Sequence, residues 1–379
     1  MDDRFRSIRP YNDSEIGAVL RRLAKNRSLI GGIRNEVFPG LPKMLRRPAD
    51  YFLRTTFLRK IGTIRTVEQF QRKITSGVVL DWIIKHTTNG LSFSGLENLD
   101  QDRPYVFVSN HRDIVLDSAL LSYVVGNNGF GIPAIAFGDN LMINDVVSDL
   151  IRANKSFVVR RKLPFKEKVK AAYELSRYIW FLHEQGEPVW IAQRAGRAKD
   201  GDDKTNPSLI KTLYMAQRKN GINFKEFIRE INIVPVAVSY EKDPCDLLKA
   251  KELLEKAENN FPERKKHEDL EDMYMGLKGE KGRVHVALSR PLCGEYQREE
   301  EVAKDIDRSI HRIYRLWPTN YIAYDELEAS KEYSAMYSYE ERGDFLERFR
   351  QEREDIRRKA LAMYAQPVIN QRALDCSRD

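Results

Sequence analysis

The stretch FVSNHRDIVLDSALL, residues 107–121, sets His111, Asp113 and Asp117 between an apolar run and a segment of helical spacing. Imidazole exchanges protons near neutral pH. A carboxylate bound to one ring nitrogen holds the tautomer that leaves the other free to take a proton. A general base and its orienting acid are therefore both available between His111 and Asp117. Each residue also has a plainer reading. A single histidine at a strand end is more often structural, and Asp113 stands where it would cap the helix that follows.

Such residues need a scaffold. From about residue 96, short apolar runs alternate with longer amphipathic ones. YVFVSN, PAIAFG, SFVVRR, EPVWIAQ, INIVPVAVSY and GRVHVALSRPL read as strands, and KEKVKAAYELSRYIWFLHEQG as one of the helices between them. The alternation predicts an α/β domain over 96–294, a mixed sheet flanked by helices. EQGEP agrees, with Gly186 where a helix stops and Pro188 just ahead of the next strand. Asn110 and His111 then fall at the carboxyl end of the YVFVSN strand, where open α/β sheets form their binding crevices.

Residues 1–95 read mostly as helix, broken at FPGLPK and TTNG. Within them, MLRRPADYFLRTTFLRKIGTIR mixes Leu45, Phe52, Leu53, Phe57, Leu58 and Ile61 with Arg46, Arg47, Arg54, Arg59 and Lys60. The pattern suits a helix lying on an anionic membrane. It suits equally an amphipathic helix packed on its own domain with snorkelling arginines. Residues 295–379 read as a charged helical extension, which is usually packed or solvated scaffolding. GLKGEKGR, residues 276–283, lacks the spacing of a phosphate-binding loop and reads as a surface turn.

NHRDIVLD resembles the first motif of the glycerolipid (phospholipid/glycerol, lysophosphatidic acid-type) acyltransferase superfamily, Asn-His-x4-Asp, whose histidine activates an acceptor hydroxyl. Here five residues separate His111 from Asp117, and Asp113 stands where many relatives have serine. The resemblance favours Asp117 as the orienting acid, with Asp113 the alternative. NKSFVVRRK, residues 154–162, is similar to the second motif, which implies that Arg160 or Arg161 faces the acceptor's polar head. PVWIAQRAGRAKDG, residues 188–201, resembles the third, a strand running into Glu-Gly-Thr-Arg-Ser. There Arg194 or Arg197 would grip a phosphate or other anion with its planar fork, and Gly196 would let the backbone approach the ligand. Ala195 occupies the place of the family's glutamate, a departure that predicts weakened activity. INIVPVAVSY, residues 231–240, resembles the fourth motif, whose Val-Pro-Val, here with Pro235, lines the acyl site. The likeness spans roughly residues 95–290. It implies transfer of a fatty acyl group from a thioester, on acyl carrier protein or coenzyme A, to the hydroxyl of a lysolipid or glycerol-phosphate-like acceptor. No covalent intermediate, cofactor or metal is expected.

Composition narrows the alternatives. At 379 residues and 42% hydrophobic, the chain can bury a sizeable core without staples. Cys245, Cys293 and Cys376 are far apart, with no spacing for zinc or a disulfide framework, which points to a reducing cytoplasm. The start lacks the pattern of a cleavable signal, and no stretch approaches the roughly 20 apolar residues of a spanning helix. A formal charge of +8 favours anionic partners, whether phosphorylated substrates, an acidic carrier protein or lipid headgroups. Peripheral attachment to the inner face of the membrane is the expectation. One rival is a basic nucleic-acid- or membrane-binding protein without catalysis. With 17 tyrosines and 17 phenylalanines it could stack on bases, but 56 interspersed acidic residues and no nucleic-acid motif argue against nucleic acid. A His/Asp hydrolase would need a nucleophile, and there is no Gly-x-Ser-x-Gly elbow. His86, His183, His267, His285 and His311 have no acid at suggestive spacing and are given no role.

Overall fold

The computed structural model describes residues 3–161, 163–258 and 268–376. Lys162 and His267 lie outside them. In chain order the strands are β1 (Leu91–Ser94), β2 (Val106–Ser109), β3 (Ala134–Gly138), β4 (Ser156–Val159), β5 (Val189–Ala192), β6 (Ile233–Tyr240) and β7 (Val284–Leu288). The helices run α1 (Asp13–Lys25), α2 (Arg27–Val37), α3 (Lys43–Ile61), α4 (Val67–Phe70), α5 (Asp81–Thr87), α6 (Leu116–Asn127), α7 (Asp145–Ala153) and α8 (Phe165–Glu184). They continue with α9 (Pro207–Lys219), α10 (Phe224–Ile231), α11 (Asp246–Glu258), α12 (Glu268–Lys278), α13 (Glu299–Ile313), α14 (Pro318–Leu327), α15 (Tyr339–Glu347) and α16 (Glu354–Asp375).

The chain forms two compact units, residues 1–79 with 134–174 and residues 80–133 with 175–379. These divisions differ from the expected boundaries at 95 and 294. Residues 134–174 pack with the N-terminal helices, and the C-terminal extension packs with the strands that precede it.

In the first unit, Asn12 and Glu15 cap α1 reciprocally, and Ile16, Val19, Leu20 and Leu23 fall on one buried face by helical spacing. That face packs against Ile61, Ile64, Val67 and Phe70. β3 and β4 pair in parallel, Ile135 opposite Ser156. α3 buries only Ile61 completely, while Met44, Leu45, Tyr51 and Phe52 stand in solvent.

In the second unit the strands lie in the order β1-β7-β6-β2-β5, parallel throughout except for the antiparallel β6/β7 pair. All eight residues of β6 are buried, as the continuous apolar run INIVPVAVSY requires of a strand covered on both faces. β6 pairs Val236 with Ser109, the last residue of β2, so its final four residues run on past that strand. The overrun is what later reaches the site. Ile322, Phe345, Phe349, Leu361 and Tyr364 of the extension make a core of their own, with Ala250 of α11 in it.

Two expectations are corrected. Residues 91–94 are a strand rather than part of the helical N-terminal region. β1 is an edge strand paired only to β7, with Phe93 46% exposed, and so lacks the apolar run that marks the others. GLKGEKGR is no surface turn either. Gly276 lies inside α12, where an added Cβ would stand 2.1 Å from Asp113 Oδ2, and Lys281 is 1% exposed.

Candidate active site

His111 follows β2 directly and is held by the first turn of α6. Its Nδ1 lies 2.9 Å from Asp117 Oδ2, and Nε2 makes no hydrogen bond to a described residue. Asp117 is fully buried. Its Oδ2 also accepts the backbone N–H groups of Arg112 (2.6 Å) and Asp113 (2.9 Å), and Oδ1 accepts the Tyr240 hydroxyl (2.8 Å). Three donors besides the imidazole, together with the positive end of α6, offset the cost of burying this charge. The Trp190 indole meets the imidazole edge to face at 5.9 Å and is fixed by its own Nε1–H donating to Ser109 Oγ (3.0 Å).

Asp113 does something else. Its Oδ1 accepts the N–H groups of Val115 (2.8 Å) and Leu116 (2.7 Å), a cap on α6, and it makes no hydrogen bond to His111. Burial, and next the charge of Asp117, push its pKa above the usual carboxylate range. The two aspartates therefore divide the roles that the sequence leaves open between them.

Asn110 clamps the histidine loop to the overrunning end of β6. Its side chain accepts the Val238 N–H (2.8 Å) and donates to the Val238 carbonyl (3.1 Å), copying a strand partner where β2 has ended. Arg112 turns away from solvent. It donates to Asp203 Oδ2 (2.5 Å) and to the Gly201 carbonyl (3.0 Å), and lies over the Tyr314 ring. Lys249, ion-paired with Asp243, donates to the Arg112 carbonyl (2.7 Å). The Ala198 N–H donates to the His111 carbonyl (2.8 Å), so the loop after β5 is bonded to the histidine itself.

Along that loop the expected anion-binding residues have different surroundings. Arg197 is buried and ion-paired with Asp272 of α12. Arg194 is half-buried and has no hydrogen bond or ion pair to a described residue. Ala195 is exposed. Gly196 adopts φ +79, which L side chains rarely tolerate, and an added Cβ would meet nothing within 4 Å. Pro235 is buried in β6 opposite Val108, five residues before Tyr240. Arg160 and Arg161 follow β4 in the first unit. Arg160 pairs with Glu174 at 3.7 Å, and the Arg161 N–H donates to Asp139 (3.2 Å).

Tyr240, Trp190 and Asp203 escape a reading of the sequence as site residues, and Asn110 is placed there only as the neighbour of His111 at the strand end. Tyr240 and Trp190 sit within the quoted motifs, but only strand register shows which residues of a run reach the histidine. Asp203 and Lys249 carry no local signal.

The acyltransferase family model matches residues 90–239, the span that contains His111, Asp117, the loop after β5 and all but the last residue of β6. Glycerol-3-phosphate acyltransferase of Pseudomonas putida (strain GB-1) is 27% identical over 225 residues, which cover 57% of this chain and 25% of that protein. The enzyme of the same name from Pseudomonas syringae pv. tomato is 28% identical over 259 residues, 62% of this chain and 29% of its own length. The chain thus spans about a quarter of the length of the curated relatives it matches. The crystal structure of the 1-acyl-sn-glycerophosphate acyltransferase from Thermotoga maritima aligns over 79% of this chain and 93% of that one, at 16% identity and a TM-score of 0.37. The match to the acyltransferase family model over residues 90–239 and the similarity to the glycerol-3-phosphate acyltransferases agree with the motifs.

Proposed function

We propose that this protein transfers a fatty acyl group from a thioester, on acyl carrier protein or coenzyme A, to the hydroxyl of a glycerol-phosphate or lysolipid acceptor. One observation carries the reading: His111 is held at Nδ1 by a fully buried carboxylate, which leaves Nε2 as the basic nitrogen. Nε2 takes the acceptor's hydroxyl proton as the oxygen attacks the thioester carbonyl carbon. The tetrahedral oxyanion then collapses, the C–S bond breaks, and the imidazolium gives its proton to the departing thiolate. Asp117 fixes the ring and balances the imidazolium charge. Arg194 is better placed than Arg197 to bind the acceptor's anionic group, since Arg197 is already committed to Asp272. Arg160 and Arg161 remain candidates for the acceptor's head, and Pro235 for the acyl chain. The glycerol-3-phosphate acyltransferase relatives support the acceptor class.

No helix among the described residues is long and apolar enough to cross a membrane. Peripheral docking on the anionic inner leaflet suits the exposed apolar and basic residues of α2 and α3.

The test is a mass-spectrometric screen of both donor types against glycerol 3-phosphate and a lysolipid panel. Ester product is expected, reduced about 10³-fold in His111→Ala. Asp117→Asn should cost more than Asp113→Asn, because asparagine at 113 keeps an acceptor oxygen for the Val115 and Leu116 N–H groups. Undiminished transfer by His111→Ala overturns the mechanism. Thioester cleavage without transfer to any acceptor favours the hydrolase reading instead.

A further inference from the structure

The acid behind His111 is itself held from the far side. Asp117 presents Oδ2 to the imidazole and to two backbone donors and, among the described residues, Oδ1 only to the Tyr240 hydroxyl at 2.8 Å. Tyr240 is the last residue of β6, four past the residue paired with Ser109, so the length of β6 sets where its ring arrives. Asn110 fastens that same overrun to the histidine loop through Val238, which removes slack between the two segments. Both partners are buried, Tyr240 at 6% and Asp117 at 0% exposure.

We infer that Tyr240 is a positioning residue for the proposed acyl transfer: by donating to Asp117 Oδ1 it fixes the plane of the carboxylate and sets how much of its charge faces His111. The inference rests on the reading of His111 as the base. A carboxylate with one oxygen free of donors can rotate about its Cβ–Cγ bond, and its charge is less divided among donors. The hydroxyl is suited to the task because burial, and next the charges of Asp117 and Asp113, keep it protonated far above neutral pH. It donates at every pH the enzyme meets. Other charged groups line the small cavity beside the ring: Arg112 and Asp113 from the histidine loop, Asp243 after β6 and Lys281 before β7. None of their side chains hydrogen-bonds to Asp117. Removal of the Tyr240 hydroxyl therefore leaves Oδ1 without a donor.

The test is Tyr240→Phe, which keeps the ring and deletes the donor. With its charge less shared, Asp117 holds a proton on His111 more tightly, so the titration midpoint of His111 should rise. It is followed by ¹⁵N NMR of the imidazole and assigned by its disappearance in His111→Ala. In kinetics, the acid limb of the kcat/KM profile should move the same way, kcat should fall about tenfold, and the acceptor KM should stay within about twofold. In an Asp117→Asn background the same substitution should cost little more, since the acid it serves is gone. An unmoved His111 midpoint, or losses that simply add in the double variant, overturns the inference. The NMR titration needs no substrate. Activity surviving in His111→Ala would therefore dismiss the catalytic reading while leaving the coupling of Tyr240 to His111 separately measured.

Discussion

At Ala195 the third motif has lost a carboxylate, yet Arg197 two positions on is ion-paired with Asp272 of α12. The supply of an acid from another element removes one need for glutamate in the loop. It leaves Arg194, half-buried and without a partner among the described residues, as the guanidinium proposed to meet the acceptor's anion. Position 195 is exposed, so a longer side chain has room. Ala195→Glu should thus pair with Arg194 and lower the acceptor KM by about two- to fivefold, the scale of an exposed ion pair. Thermal stability should stay within a degree or two. A steady-state assay on a verified acceptor decides this, and an unchanged or raised KM removes Arg194 from the anion site. The same logic of borrowed partners runs through the buried charges under the site. Asp243 stays ionised despite burial because Lys249 lies against it, and Asp113, whose only hydrogen-bond donors among the described residues are two backbone N–H groups, is pushed toward protonation.

Among the elements, those with long apolar runs were legible: β2 through β7 fall on the six segments read as strands, and α8 ends ahead of Gly186, which has φ +73. β1 was not, because an edge strand of four residues, none of them buried, need not be apolar. Of the site, His111 and Asp117 could be paired from spacing and family likeness. Tyr240 could not, since its arrival depends on β6 being twice as long as β2 and on the register between them. The buried Lys281 was misread for a related reason: a glycine- and lysine-rich string looks solvated until α12 is seen packed over Asp113. The edge also supplies a pH test. His285 of β7 lies 2.8 Å from Ser92 Oγ through Nδ1 and 3.0 Å from Ser94 Oγ through Nε2, which ties β1 down. Burial, helped by Arg315, lowers its pKa from 6.5 to about 4. The unfolded chain then binds this proton at higher pH than the folded one. The stabilisation is complete above about pH 6.5 and is lost as pH falls toward 4. Urea unfolding between pH 4 and 7 should show a shallower loss in His285→Gln than in the parent. Equal slopes would mean that His285 is not the group responsible.

On the scale of the whole molecule, a net charge of +8 favours anionic surfaces without choosing among them, and the distribution of exposed apolar side chains narrows the choice. In the first unit six of them lie at the end of α2 and in the first half of α3, namely Val37, Phe38, Met44, Leu45, Tyr51 and Phe52, with Met44 82% and Tyr51 72% exposed, and four others, Val78, Val79, Phe165 and Val169, lie elsewhere. Lys43, Arg46, Arg47 and Arg54 are exposed among them. The Arg34 guanidinium grips both oxygens of Asp50 at 2.8 Å and binds α2 to α3, so the group is presented on a braced helical pair. Apolar side chains left in water are unfavourable, and interspersed basic residues fit headgroup phosphates around an apolar insertion. Burying even one phenylalanine contributes about 1.5–3 kcal/mol, enough for a tenfold change in partition. We therefore expect the protein to bind vesicles containing anionic lipid, to be partly released as salt screens the headgroup attraction, and to keep a salt-resistant fraction from apolar insertion. The double variant Met44→Glu with Phe52→Glu should weaken vesicle binding at least about tenfold while leaving the melting temperature nearly unchanged, because both side chains are mostly in solvent. Sedimentation with vesicles, run beside thermal unfolding, separates the outcomes: full binding by the folded variant would show that these helices face water and that attachment, if any, lies elsewhere on the chain.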